Sequence, residues 1–353
     1  MTTNTNNRYL INDENDNEFI SSNEDNNYLE CEFISSNEDD NNYPFKDNAA
    51  YMVNTDRLTL KDSFNIFGIE LEAICRKSYT TKKNEALKYF HITDDGSLEG
   101  DTGREFVTTP LPIDKGIDII KNFIKDMGKK LDVNRSCGFH VHLYVDKEHQ
   151  TLDMMKKIMY AYYKLELLFF LSQPTSRRNN TYCRSLKEYN NLERLLKKKT
   201  LATFLRSYYK RYNIMTTRDI PHDKYFYKRY EWVNLHSIFY RNTIEIRLHS
   251  GTLNTNKIIN WIMINKTLLE WLLKTDLKTV KDTLTENYFL DNILTKKLKK
   301  HMIDRIKEHR ISYDFTQDIN PTQKTKWLEE IDMYTKIGIN LDTKFKEGVL
   351  KDV

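Results

Sequence analysis

Three short stretches of this sequence place two chemically able side chains two residues apart: Glu70 with Glu72, His140 with His142, and Glu245 with Arg247. On a strand, side chains at i and i+2 share a face. If the three strands present that face together, three carboxylates, two imidazoles and a guanidinium converge. Carboxylate oxygens with one or two imidazoles suit Mg²⁺ or Mn²⁺ better than a structural zinc centre, which favours thiolates. A guanidinium beside such ligands suits a phosphoryl oxygen, because metal and guanidinium together offset its charge. Each pair alone is weak evidence. Exposed Glu-x-Glu is ordinarily a solvated face, His-x-His also fills amphipathic surfaces, and Glu-x-Arg also forms cross-strand ion pairs. The joint pattern carries the inference.

The elements that must position these pairs follow from periodicity. From Phe64 to Arg76, the residues Phe67, Ile69, Leu71, Ala73 and Cys75 alternate with the polar face that holds Glu70 and Glu72. From Ser136 to Asp146, Cys137, Phe139, Val141, Leu143 and Val145 oppose Gly138, His140, His142 and Tyr144. From Asn242 to Leu248, Ile244, Ile246 and Leu248 turn inward, with Thr243, Glu245, Arg247 and the following His249 outward. A shorter strand is expected around Arg104 to Thr108, after the Asp95-Gly96 turn. Helices are expected over about 114–130, from an Asp153 cap to Ser172, and over 256–273. The stretch 175–215 reads as basic and irregular with two helical segments, and 276–353 as short helices. Strands mixed irregularly with helices describe an α+β fold. Such alternation favours a mainly antiparallel sheet with helices on one face and an open, concave face for the site.

Composition narrows the class. The chain has 353 residues, 12% of them aromatic and 30% charged, so it can build a core and is not disordered throughout. Its four cysteines are far apart with no CxxC pair, which argues against a disulfide scaffold and for reduced thiols in the cytoplasm. The N-terminus lacks a signal-peptide pattern, and the longest apolar stretch, 258–273, carries Lys266 and Glu270, so no membrane association is expected. Residues 1–50 hold two basic and twelve acidic residues, a net −10 on a chain whose total is +4. They contain EFISSNEDNNY (18–28) and, again, EFISSNEDDNNY (32–43), and are expected to form a disordered acidic tail. The basic remainder suits an anionic partner, although charge alone names none. There is no GxxxxGK[ST] and no GxGxxG, so a nucleotide needs another cradle.

The order GIELE (68–72), DGSL (95–98), GREFVTTPL (103–111), NRSCGFHVHL (134–143) and VNLHSIFYRNTIEIRLHSGTLN (233–254), followed by Trp261, resembles the amidoligase family of the glutamine-synthetase-like carboxylate–amine ligases. The resemblance covers about residues 64–275. It implies a catalytic domain over 60–275, flanked by the tail and a helical C-terminal extension. It also implies an antiparallel sheet whose concave face holds the site. The implied reaction activates a carboxylate as an acyl phosphate with ATP and Mg²⁺ (or Mn²⁺), then lets an amine displace the phosphate. Carried over residue by residue, Glu70, Glu72, Glu105, His140 and Glu245 would be metal ligands. His142 and Arg247 would be catalytic and, with Arg241, would hold the nucleotide. Asp95 and Ser97 match a position without an assigned role, and Thr108-Thr109 stands where the family often has Ser before Pro. The expected partners are small-molecule or peptide carboxylates and amines, with no nucleic acid and no membrane.

Two other classes compete. An HxH metal-dependent hydrolase would need further His or Asp ligands at later strand ends, and among later histidines only His249 sits on a strong strand. A non-catalytic nucleic-acid or protein-binding module could use Arg177, Arg178, Arg184, Arg206, Arg211 and Arg229 with Tyr208, Tyr209 and Tyr212, since aromatics interleaved with cations stack on bases. The simpler expectation is that those tyrosines pack inward. Cys137 falls on an apolar face and is expected to be a buried structural thiol.

Overall fold

The structure, a computed structural model, describes residues 63–76, 87–94, 96–99, 102–210, 226–311 and 319–340. The acidic tail, Asp95, Arg211 and Tyr212 lie outside the described residues. In chain order the strands and helices are β1 (Ile66–Cys75), β2 (Phe90–Asp94), β3 (Gly103–Thr108), β4 (Leu111–Pro112), α1 (Ile113–Met127), β5 (Leu131–Asp132), β6 (Gly138–Tyr144) and α2 (Leu152–Leu171). Then come α3 (Thr175–Arg178), α4 (Leu186–Tyr189), α5 (Leu192–Leu196), α6 (Leu201–Tyr209), β7 (Val233–Asn234), α7 (Ile238–Arg241), β8 (Thr243–Ser250) and α8 (Thr255–Lys274). The chain continues through α9 (Leu277–Thr283), α10 (Glu286–Tyr288), α11 (Lys296–Glu308) and α12 (Pro321–Lys336).

The sheet runs β2-β3-β1-β6-β8-β7, with β4 and β5 extending the ladders of β1, and every pairing is antiparallel. The α+β reading therefore holds. Between β3 and β4 the turn at Thr108 interrupts the ladder, and the Thr108 hydroxyl takes the Ile69 N–H at 2.9 Å, so no donor is orphaned. Ile69, Leu71, Ala73, Phe106, Phe139, Val141, Leu143, Ile244 and Ile246 form the apolar face and are fully buried. Helices cover that face: Phe123 of α1 stacks on Phe90 and tilts against Phe106, while Phe169 of α2 meets Trp232 and Trp261 of α8. The helices after residue 276 share this core, α9 and α12 against α2 and α11 against α8. Among the described residues, no helix is long and apolar enough to cross a membrane.

Three local expectations need correction. The α2 cap is Thr151, whose hydroxyl accepts the Met154 N–H; Asp153 pairs instead with Lys157 one turn on, at 2.9 Å. The described part of the basic stretch, 175–210, contains four helical segments where two were expected. His249 does not share the polar face. A register shift between Phe139 and Val141 sets one residue of β6, His140, against two of β8, Arg247 and Leu248, which reverses the alternation after the bulge. His249 then packs edge-on against Phe139 and Trp261. The polar face opens on a cavity, as expected, and Arg177, Tyr182, Arg229, Tyr230, Tyr240 and Arg241 line the rest of it as a roof.

Candidate active site

Register brings the polar pairs together. Glu70 of β1 lies opposite His140 of β6, and His142 of β6 lies opposite Glu245 of β8. Glu72 lies opposite Glu105 of β3, which faces Thr93 of β2 on its other side. One polar row thus crosses β2, β3, β1, β6 and β8. Apart from His142, which is buried and does not line it, the row floors a cavity of about 670 Å³ that also receives His91, Asp94, Ser97 and Ser136.

Glu70 is the hub. Its Oε2 lies 3.0 Å from His140 Nδ1, and its Oε1 lies 3.1 Å from His142 Nε2 and 2.8 Å from Arg241 Nη1. Ligand atoms of Glu70, Glu105 and His140 lie within 4.8 Å of one another, as do those of Glu70, His142 and Glu245. Glu70 belongs to both triads. Burial alone would push its carboxyl up, but His142, His140 and Arg241 more than reverse that and hold it well below the usual range. Burial opposes ionisation of Glu245 as well; Arg247 and then His142 bring it down to about 2. Both carboxyls are therefore charged at neutral pH, as hard divalent cations require.

The donor set fits such a cation. His142 Nδ1 lies 3.0 Å from the Thr243 hydroxyl, itself 2.9 Å from the Ser237 hydroxyl. An imidazole tied at Nδ1 presents Nε2 outward. The His142 Nε2 is buried 3.1 Å from Glu70 Oε1. In the neutral tautomer with its proton on Nδ1, Nε2 would offer a lone pair to a metal. The hard oxygens of Glu70, Glu105 and Glu245 complete a set suited to Mg²⁺ or Mn²⁺.

Glu72 stands apart from both triads. Its Oε2 accepts the Gly138 N–H, and its Oε1 is 3.5 Å from His140 Nε2. It is better placed to orient His140 and the β6 entry than to join either triad. A Cβ at Gly138 would lie 3.0 Å from both Arg177 Nη2 and His140 Nε2, so a side chain there asks each to give by a few tenths of an ångström.

Arg247 is buried beside Glu245. Its Nη1 donates to Glu245 and its Nε to the Tyr182 carbonyl at 3.0 Å. Its Nη2 makes no hydrogen bond to a described residue and remains for a ligand. Its guanidinium is held well above its usual range; burial acts against that charge and the Glu245 carboxylate overrides it. Arg241 stacks over Tyr240 at 5.5 Å and is the last residue of α7, which is capped by Asn242 in the left-handed conformation (φ 53°) that Asn tolerates.

Sequence reasoning missed Arg177, Tyr182, Tyr230 and Tyr240 as members of the site. Arg177 Nη2 donates to the Arg247 carbonyl at 2.6 Å and its Nε to that of Leu248 at 3.2 Å, pinning α3 to β8 at the bulge. Only Tyr240 carried a signal, since it adjoins Arg241 inside a quoted motif. Tyr208 and Tyr209 do pack inward: the Tyr208 hydroxyl bonds Glu231, and the Tyr209 hydroxyl lies 2.7 Å from His236 Nδ1. Cys137 is buried, and burial raises its thiol. His249 is buried outside the cavity, so it adds no ligand to the HxH pair.

No curated protein matches the chain. A family model described as "putative amidoligase enzyme" matches residues 39–269, a span that holds β1 to the greater part of α8 and every residue of the polar row. The family's name points to an enzyme of the ligase type. With more than half of its length matched, the chain belongs to the amidoligase family.

Proposed function

We propose that this protein is an ATP-dependent carboxylate–amine ligase working through an acyl phosphate, with Mg²⁺ or Mn²⁺ at the two triads. The observation that carries the reading is Glu70 shared by two ligand triads, beside a buried guanidinium with a free Nη2, in one polar cavity. Joining a carboxylate to ATP brings several negative charges together, and that repulsion is the first barrier. When bound, the divalent ions supply positive charge across the transferred phosphoryl group.

The chain's own residues do the rest. Glu70, Glu105, His140, His142 and Glu245 hold the ions, and Thr243 fixes the His142 ring. Arg247 offers Nη2 to a γ-phosphate oxygen, where the charge changes most on transfer. Its other bonds, to Glu245 and to the Tyr182 carbonyl, keep the planar fork still, so little reorganisation is needed during reaction. Arg241 and Arg229 line the same cavity and can neutralise the remaining phosphates or the substrate carboxylate. The tyrosine-lined roof restricts water, which would otherwise hydrolyse an acyl phosphate before an amine reached it. No covalent protein nucleophile is required.

Hydroxylamine trapping tests the reading. Purified protein, ATP, Mg²⁺ and pooled small acids or peptides should form an acyl hydroxamate, with one ADP released per hydroxamate. ADP release without hydroxamate for every acid would refute the acyl-phosphate route.

A further inference from the structure

The carboxylate common to both triads is already engaged. Arg241 Nη1 lies 2.8 Å from Glu70 Oε1, an oxygen that an ion in the His142–Glu245 triad would use. The remaining Glu70 contacts go to His140 and His142, which are themselves ligand candidates. Only Arg241 among the Glu70 partners can supply no metal ligand, because a guanidinium has donors and no lone pair. Cation and guanidinium would thus meet at one oxygen, where their like charges repel.

The two site arginines bonded to a triad carboxylate are held very differently. The Arg247 side chain is 6% exposed and tied to the Tyr182 carbonyl as well as to Glu245. The Arg241 side chain is 42% exposed, sits at the end of α7, and has Glu70 as its salt-bridge partner and the Tyr240 ring beneath it. Among the described residues, its departure breaks no other side-chain hydrogen bond.

Resting on the metal reading above, we propose that Arg241 is a resident counter-cation of Glu70 that a divalent ion displaces, and that the released guanidinium turns to the anionic substrate in the same cavity. The buried Glu70 charge is thereby compensated in both states: by Arg241 without metal, and by metal with Arg241 freed. Metal loading and anion recruitment become one exchange, so a cavity without metal offers its substrate less positive charge.

Mn²⁺ titration of the full chain tests this without any knowledge of the substrates. Binding is read from the loss of the free-ion paramagnetic resonance signal, and unfolding is followed with and without Mn²⁺. Arg241→Gln should bind Mn²⁺ about tenfold more tightly than the natural protein, the equivalent of about 1.4 kcal/mol and the scale of one charge-assisted hydrogen bond. Without metal the variant should melt lower, because Glu70 has lost its counter-charge, and Mn²⁺ should raise its melting temperature by more than it raises that of the natural protein. Arg229→Gln, which removes an equal charge from the cavity wall, serves as control and should change the affinity less than threefold. Equal tightening in both variants would show a general charge effect and overturn the displacement. Unchanged or weaker binding in Arg241→Gln would overturn it too. Absence of Mn²⁺ binding in the natural protein would instead sink the metal reading itself, and the exchange with it.

Discussion

Replacing Arg247 by Lys separates a phosphate-binding role from simple charge pairing. The substitution keeps one positive charge but loses the planar fork. In the structure that fork does three things: Nη1 holds Glu245, Nε holds the Tyr182 carbonyl, and Nη2 faces no described partner. A lysine ammonium can retain the ion pair with Glu245, but it cannot serve the carbonyl and a phosphoryl oxygen at the same time. Losing one preorganised donor to a developing charge costs about 2.7–4 kcal/mol, or about a hundredfold to a thousandfold in turnover. The burial of Arg247 and its bond to the Tyr182 carbonyl argue for a stability loss of about 1–3 kcal/mol, the price of one unmade buried hydrogen bond. The assay is single-turnover hydroxamate formation at saturating ATP and Mg²⁺, at a temperature well below the unfolding of the variant. Unaltered Mn²⁺ binding would show that the site is assembled. If Arg247→Lys keeps turnover within threefold, Arg247 only pairs with Glu245, and the phosphate assignment is wrong.

Further expectations concern ligands, packing and pH. Glu70→Gln should weaken Mn²⁺ binding more than Glu105→Gln or Glu245→Gln, because Glu70 alone belongs to both triads; equal effects in a titration would contradict a shared ligand. Gly116→Ala should destabilise by about 1–3 kcal/mol in denaturant unfolding, since its Cβ would collide with the Phe67 ring and come within 2.9 Å of the Leu111 Cβ; an unchanged midpoint would show that this contact yields freely. His301 and His309 are depressed to about 4 by burial and then by Arg305. Between pH 6.5 and 4 the unfolded chain therefore binds more protons than the folded one. Their stabilisation is fully present above pH 6.5 and is lost as pH falls through that window. The drop in melting temperature from pH 7 to pH 4.5 should shrink in the double variant His301→Gln/His309→Gln; an equal drop would place the acid sensitivity elsewhere.

The catalytic floor was legible because a strand's two-residue period ties chemistry to geometry. Glu70, His140 and Glu245 were placed on one face by counting, and antiparallel pairing then set Glu70 against His140 and His142 against Glu245. His249 shows where counting fails. It obeys the same period in sequence, yet the bulge opposite Phe139 and Val141 adds one residue to β8 and turns it into the core. A bulge is set by how two strands meet, and neither strand states it alone. Thr151 was passed over for a similar local reason: two polar residues competed for one cap, and Asp153 is claimed instead by Lys157.

The roof was harder to read, because its members share no period and come from separate segments. Arg177 follows Pro174 in a short helix and looked like one cation among many, yet it is buried, with its donors on the carbonyls of Arg247 and Leu248. Its position bears on Gly138, which opens the HxH strand: a Cβ there would lie 3.0 Å from both Arg177 and His140. One glycine thus lets the roof arginine and the floor imidazole approach each other. Gly138→Ala should therefore perturb both at once, weakening Mn²⁺ binding through His140 and loosening the junction of α3 with β8 through Arg177. A flexible surface arginine could step aside, but Arg177 is tied to two backbone carbonyls and has little freedom to yield. Measuring Mn²⁺ affinity alongside amide exchange of residues 175–178 would expose the link. A loss of affinity with unchanged exchange would show that the His140 ring gives way alone and that floor and roof are not coupled at this point.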